Sequence, residues 1–534
     1  MEDKEKSVDM EHDELNLQVD EKSKRKKSVI YVLAILIILI AGFGCYYMSR
    51  GNNKVEPTKT KVDKKDYYSE YRLSGNSLEN FDLYFLQLEN EEKNKIYSPL
   101  SIKYALAMLN EGAREDSYEQ IKAVIGDYKA KSYPNSDHMS FANAVFIKES
   151  FKDAVRSEFT EDLYNKFGAE VIYDTFETAD NFNKWVSDKT FNLIDKLLDD
   201  ISNNTFVLVN ALAIDMEWNK KIQATCATYK DQYSISFSHE KYSANVGLLC
   251  GDDDYHSLEF NDGKLNAKSV EIGATLNNYD IVKELGEDNI RKIVGDELRT
   301  WLADPNNADF KSYYEDVDAY LDKYIEEIGE NYKTENSSTD FMIVDNNEIK
   351  AFAKDLKEYD GTTLQYVGIM PKNESLTDFV SKSDALSINK IITELKEIKL
   401  ENFKDGVVTK IYGYIPVFNF DYELKLKEDL PKLGIVDIFD AEKANLDGIA
   451  EKAGVFIDTA VHKANIDFSN DGIKAAAATA MGGVGAAGGG FDYLFDVPVE
   501  EIDMTFDKPY MFLIRDKNTG EVWFTGTVYE PTEK

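Results

Sequence analysis

The sequence predicts a mixed α+β domain carried behind a single N-terminal membrane-spanning helix. Three observations predict it. An uncharged, largely apolar run, SVIYVLAILIILIAGFGCYYM, fills Ser28–Met48. Beyond a linker, helical patterns such as ALAMLNEGA and NKWVSDKTFNLIDKLLDD dominate up to about Asp200. After that point β-rich runs such as TFVLVNALAI alternate with turns.

Residues 1–27 are polar and charged with no apolar period, which predicts a disordered cytoplasmic tail ending in the basic cluster KSKRKK. The apolar run 28–48, as a helix rising ~1.5 Å per residue, spans ~30 Å of hydrocarbon. A cleaved signal peptide has a shorter apolar core and a small-residue exit, so the run reads as an uncleaved anchor. Lys22, Lys24, Arg25, Lys26 and Lys27 precede it directly. The positive-inside rule therefore keeps the N-terminus in the cytoplasm and sends everything after Met48 outside the cell, with Tyr46 and Tyr47 at the outer interface. The rival reading is a lipoprotein signal ending at Cys45, for which Gly42, Phe43 and Gly44 make a poor recognition sequence. Residues 49–65 read as a linker and 66–534 as the folded domain.

A chain of 534 residues can bury a sizeable core as one large domain with additions or as two ordinary ones. Its net charge of -36 excludes a phosphate-binding surface, which needs clustered Lys and Arg, so nucleic acid is not a partner. Cys45, Cys226 and Cys250 are too few for a disulfide scaffold; Cys226 and Cys250 either pair or stay as two free thiols. No Cys/His set has metal-ligand spacing, and His12, His138, His239 and His256 are scattered, so neither metal nor cofactor is implied. Abundant Lys, Asn, Ile, Asp and Tyr point to an AT-rich, bacterial genome. The segment 274–345 is acidic and Tyr-rich, with helical spacing in YYEDVDAYLDKYIEEIGENY, and reads as an insertion. The acidic run Asp252–Asp254 and this insertion are solvated surface, with a cation or docking role as the alternative.

Four segments, in order over most of the chain, resemble the serpin family. NKIYSPLSIKYALAMLNEGAREDSYEQI (Asn94–Ile121) is similar to its N-terminal strand-helix motif, and FVLVNALAIDMEW (Phe206–Trp218) to its central strand. IPVFNFDYELKLKEDLPKLGIVDIFDAEKANLDGI (Ile415–Ile449) looks like its second large sheet and the helix that follows. From Val455 to Pro531, VFIDTAVHKANIDFSNDGIKAAAATA, a long Gly-rich loop and FDKPYMFLIRDKNTGEVWFTGTVYEP resemble the reactive loop and C-terminal signature. The chain departs from the family pattern at Met216, Ile473 and Tyr510, and 225–266 matches poorly.

The resemblance implies the serpin fold, helices packed on large mixed β-sheets with an exposed reactive-centre loop. It also implies inhibition of a serine protease as a suicide substrate: the loop is cut and inserts as a strand into the central sheet. Gly472, Ile473, Lys474, Ala475, Ala476, Ala477, Ala478 and Thr479 then form the hinge. Strand side chains alternate between faces, so Ile473, Ala475, Ala477 and Thr479 would point inward while Lys474 stays in solvent. Taken alone, GIKAAAATAMGG would read as a short helix, since Ala is a strong helix former. Counting from Gly472 by the family's spacing puts the reactive bond between Ala486 and Ala487, which suits an elastase-like or subtilisin-like protease with a shallow pocket. If the loop's extra length precedes the bond, Tyr493, Leu494 or Phe495 would anchor a chymotrypsin-like enzyme instead.

By the same resemblance Ser98, Ser101, Asn210 and His462 form a polar cluster under the opening sheet, and Trp218 is a core aromatic at the loop's entry point. No nucleophile motif surrounds either serine, so the chain is not expected to be an enzyme. A monomer is expected, partnered by the target protease and by a membrane through 28–48. The alternative is a noninhibitory surface protein of the same fold, used for binding or adhesion.

Overall fold

The computed structural model describes residues 78–126, 128–222, 234–238, 241–243, 255–330, 332–337, 340–451, 454–473, 491 and 493–531. The apolar run 28–48, both Cys226 and Cys250, and Asp252–Asp254 lie outside that set. Among the described residues no helix is long and apolar enough to cross a membrane.

Helix α1 (Pro99–Gly112) starts at Ser98, whose Oγ accepts the Ser101 N–H at 3.0 Å, and Pro99 occupies a first-turn position where no N–H is needed. Its Leu100, Ile102, Tyr104 and Met108 are buried. Strand β1 (Met139–Lys148) is buried on both faces except at its last residue. The short β2 (Glu170–Asp174) runs parallel to β1, so two strands fall in the stretch read as mainly helical.

Helix α2 (Asp180–Lys189) ends well before Asp200, which corrects the helical reading of NKWVSDKTFNLIDKLLDD. Phe191 and Asn192 turn into the left-handed region, with φ of 53° and 60°. Asn183 then offers the following backbone an alternative to helix: its Oδ1 accepts the N–H groups of Leu197 and Leu198 at 2.8 and 3.1 Å, and its Nδ2 donates to the Leu198 carbonyl. Strand β3 (Phe206–Ile214) pairs antiparallel with β1, Met139 opposite Ile214 through Ile147 opposite Phe206. After Asp215 it continues as β4 (Met216–Glu217).

Strands β5 (Ser234–Ser238) and β6 (Leu265–Asn277) precede the acidic segment. That segment folds as helices α3 (Ile281–Leu285), α4 (Glu287–Ala303) and α5 (Val317–Glu330). Ile290, Val294 and Leu298 of α4 and Leu321, Ile325 and Ile328 of α5 are buried in a shared cluster. Residues 274–277 still belong to β6 and Met342–Asp345 forms another strand, so the helical part is narrower than the compositional segment 274–345.

The rest of the chain contributes β7 (Val408–Pro416), β8 (Phe418–Leu424), β9 (His462–Phe468), β10 (Gly472–Ile473), β11 (Leu494–Asp496) and β12 (Val499–Asp503). One sheet has the order β8-β9-β10-β4; another places β7 between β6 and β12, antiparallel to the first and parallel to the second. A seven-stranded sheet includes the C-terminal strands Tyr510–Asp516 and Val522–Val528. Aromatic rings fill the core: Phe418 lies 5.3 Å from Phe468, Trp218 5.5 Å from Phe468 and Tyr366 5.5 Å from Phe512.

Candidate functional site

Strands β3 and β9 run in the same direction but no backbone pairing joins them among the described residues. At one end the gap is bridged by β10, which is antiparallel to both neighbours: Ile473 is opposite Phe468 of β9 and Met216 of β4. Below it the strands part around a cavity of about 230 Å³ lined by Ser101 and Ile102 of α1, Asn210 of β3 and His462 of β9. Two facing strand edges with a gap between them are a template for one more strand, because N–H and C=O groups can pair across each edge.

The turn that delivers β10 into this slot is tightly tied. The Ser469 N–H donates to the Gly472 carbonyl at 3.1 Å, and the Trp218 N–H donates to the Asp471 carbonyl at 2.9 Å. A Cβ at Gly472 would lie 2.1 Å from the Met216 carbonyl oxygen, so the close approach of β4 admits glycine alone. Ile473, 2 % exposed, points into the core. Trp218 is buried beside it, its Nε1–H donating to the Ser469 carbonyl at 2.9 Å. It is a core wedge under the entry point with no open ring face for a ligand.

The other end of the slot is polar. The Ser98 N–H donates to His462 Nε2 at 2.9 Å, and Ser98 Oγ accepts from Ser101, so these three residues form one connected group. Burial pulls the His462 pKa down to about 4, and with Nε2 accepting, the ring is neutral and carries its proton on Nδ1. Asn210 faces the same cavity from β3 but is bonded elsewhere: its Nδ2 donates to Asn143 Oδ1 at 2.8 Å, and Asn143 Nδ2 donates to the Phe167 carbonyl. Its buried Oδ1 has no hydrogen-bond partner among the described residues. Asn143 is thus a cluster member that sequence reading missed; only the β1–β3 register, which puts it opposite Asn210, reveals it.

A hydrolase needs a hydroxyl held by its base. Here the imidazole nitrogen facing the serines is occupied by a backbone N–H, and both serines are buried. The arrangement fits strands that part and re-pair, since buried polar groups need partners in either state.

The hinge residues Lys474, Ala475, Ala476, Ala477, Ala478 and Thr479 and the bond between Ala486 and Ala487 lie outside the described residues. On the far side, Phe491, Phe495 and Val497 are buried in the cluster formed by α4 and α5, a contact without a sequence signal.

The serpin (serine protease inhibitor) family model matches residues 80–276 and 318–531. An uncharacterized serpin-like protein of Methanosarcina acetivorans is 24% identical over 95% of this chain and 98% of its own length. Leukocyte elastase inhibitor A of Mus musculus is 30% identical over 32% of this chain and 42% of its own. Among solved structures, the native state of the thermophilic serpin tengpin covers 84% of this chain and 93% of that one at 18% identity and a TM-score of 0.54. Thyroxine-binding globulin in complex with thyroxine covers 85% of this chain and 97% of that one at 17% identity and a TM-score of 0.53.

Proposed function

The chain belongs to the serpin family, and we propose that it inhibits a serine-type endopeptidase as a suicide substrate. One observation carries this reading: Gly472 and Ile473 already sit as the first residues of a strand between β9 and β4, at the mouth of a slot that has no strand below them among the described residues. In the same antiparallel register, each step forward along the loop is one step back along β9. Ala475 would then face Ile466, Ala477 would face Ala464, and Thr479 would face His462. Because Ile473 points into the core, alternation sends Ala475, Ala477 and Thr479 the same way, and these small or β-branched side chains fit there.

The chemistry belongs to the protease. Its serine attacks the carbonyl of Ala486, the amine of Ala487 leaves with the proton passed on by the protease's base, and an ester links the two proteins. Insertion of the freed segment carries the acyl-protease away before water completes hydrolysis. This chain supplies bait and spring and no catalytic group. Small residues at the bond favour an elastase-like or subtilisin-like target, a preference that the name of the mouse relative supports. The apolar run 28–48 would hold the inhibitor on the outer face of a cell membrane as a monomer.

The second reading is a noninhibitory binding protein of the same fold, favoured by the fold neighbour solved with thyroxine. Mixing residues 67–534 with elastase-like, subtilisin-like and chymotrypsin-like proteases separates the two by denaturing gel and mass spectrometry. A detergent-stable adduct with cleavage after Ala486 is expected. Loop cleavage without adduct by all three, with protease activity intact, would favour the binding protein.

A further inference from the structure

The helical insertion touches the stretch of chain that follows the proposed reactive loop. The family model leaves 277–317 unmatched, and α4 and the residues after it lie within that gap. The Trp301 ring of α4 packs 5.8 Å from Phe491 and 5.9 Å from Tyr314. The Phe491 N–H donates to the Tyr314 hydroxyl at 3.1 Å, so backbone and side chain of Phe491 are both held. Two residues on, the Tyr493 ring packs 4.8 Å from Phe495, and β11 pairs antiparallel with β5, Phe495 opposite Ile235. Phe491, Phe495 and Val497 are 8%, 4% and 7% exposed. The Pro498 carbonyl then accepts the Val408 N–H at 2.9 Å, and β12 runs along β7. Burial thus ties Phe491, Phe495 and Val497 to the body, and strand pairing ties 494–496 and 499–503.

A protease must take several residues on each side of the bond in extended form, so a segment tied in this way is not a substrate until it detaches. We infer that the insertion is a clasp that fixes the downstream limit of the bait: it withholds Phe491, Tyr493, Leu494 and Phe495 from a protease cleft. Specificity is thereby confined to the residues upstream of Phe491, of which the large aromatic anchors are not part. This rests on the inhibitory reading for its biological sense and deepens it by excluding chymotrypsin-like enzymes as the intended target. The stretch that the family model leaves unmatched thus covers the chain that follows the bait.

The test uses the full-length chain in mild detergent with a chymotrypsin-like and an elastase-like protease, cleavage sites being mapped by mass spectrometry. Wild type should resist cleavage after Phe491, Tyr493, Leu494 and Phe495, while Trp301→Ala should be cut there about tenfold faster or more, and Trp301→Phe should restore protection. Equal rates in wild type and Trp301→Ala would overturn the clasp. Should Trp301→Ala fail to fold, Tyr314→Phe serves instead, read by hydrogen exchange at the Phe491 amide; unchanged exchange there would equally overturn it. A chymotrypsin adduct through these aromatics in wild type would overturn the clasp while keeping the inhibitor. Protected aromatics with no adduct to either protease would keep the clasp and overturn the inhibitor.

Discussion

The upstream root of the proposed reactive segment is held mainly by close backbone pairing, and the downstream root by backbone pairing and rings together. At Gly472–Ile473 the strand geometry is so close that one added carbon would strike the Met216 carbonyl. At Phe491–Val497 aromatic and aliphatic side chains packed against α4 and α5 add to the β11 pairing, each such side chain worth about 1.5–3 kcal/mol when fully buried. The difference has a mechanical meaning. A root that must lengthen into a strand needs free register below it and nothing bulky; a root that must stay put needs surface, which the insertion supplies. The first root has a slot in front of it, lined by β3 and β9.

The largest way to break this comparison is to make the slot unable to accept its strand. Ala475→Arg or Ala477→Arg would bury a cation without a partner, at a cost of several kcal/mol. Either variant should become a substrate, cut by the protease with no adduct on a denaturing gel. Undiminished adduct formation would refute insertion. The downstream root should be indifferent, with cleavage after Phe491–Phe495 as slow as in wild type.

Next in size is the far end of the slot. The folded pKa of His462, about 4, lies below its ordinary 6.5. The unfolded chain therefore binds the proton more readily, and stability that is full above pH 6.5 is lost as pH falls toward 4, by roughly 3 kcal/mol in all. His462→Gln, which keeps an acceptor for the Ser98 N–H, should flatten that part of the denaturation profile. Carboxylates titrate in the same window, so the measured quantity is the difference between the two proteins. Parallel profiles would remove His462 as the cause.

Gly472→Ala should cost about 2 kcal/mol, since β4 or β10 must move to admit the Cβ. Urea denaturation would measure it. A Gly472→Ala variant as stable as wild type would mean that the upstream root is looser than its contacts imply.

These two roots were unequally legible. Ser98 and Pro99 announce the start of α1 through capping chemistry that is local, and Gly472 stands out because the segments on both sides resemble one family. The slot itself was expected from that resemblance, yet Asn143 was not, because its role comes from standing opposite Asn210 across two strands far apart in sequence. The run 190–200 misled for a related reason. Phe191, Ile194, Leu197 and Leu198 are spaced like one face of a helix, but left-handed Phe191 and Asn192 end it and the Asn183 side chain holds the next turn. Composition flagged 274–345 as foreign, and nothing in it pointed to Phe491; whether the extra loop length fell before or after the bond was a question of tertiary packing.

The smallest expected effect is also the most local. Tyr314→Phe removes only the hydroxyl that accepts the Phe491 N–H, leaving the ring that packs on Trp301. A single neutral hydrogen bond is worth about 1 kcal/mol. Global unfolding should barely register it, because α4 and α5 keep their own core. Local opening at Phe491 should rise about fivefold, read as faster amide exchange there. Exchange at Ile473 should not change, because the residues that hold it, Phe468 and Met216, make no use of the insertion. If Ile473 accelerated as well, the two roots would be one cooperative unit, and the contrast between a root that moves and a root that stays would fail.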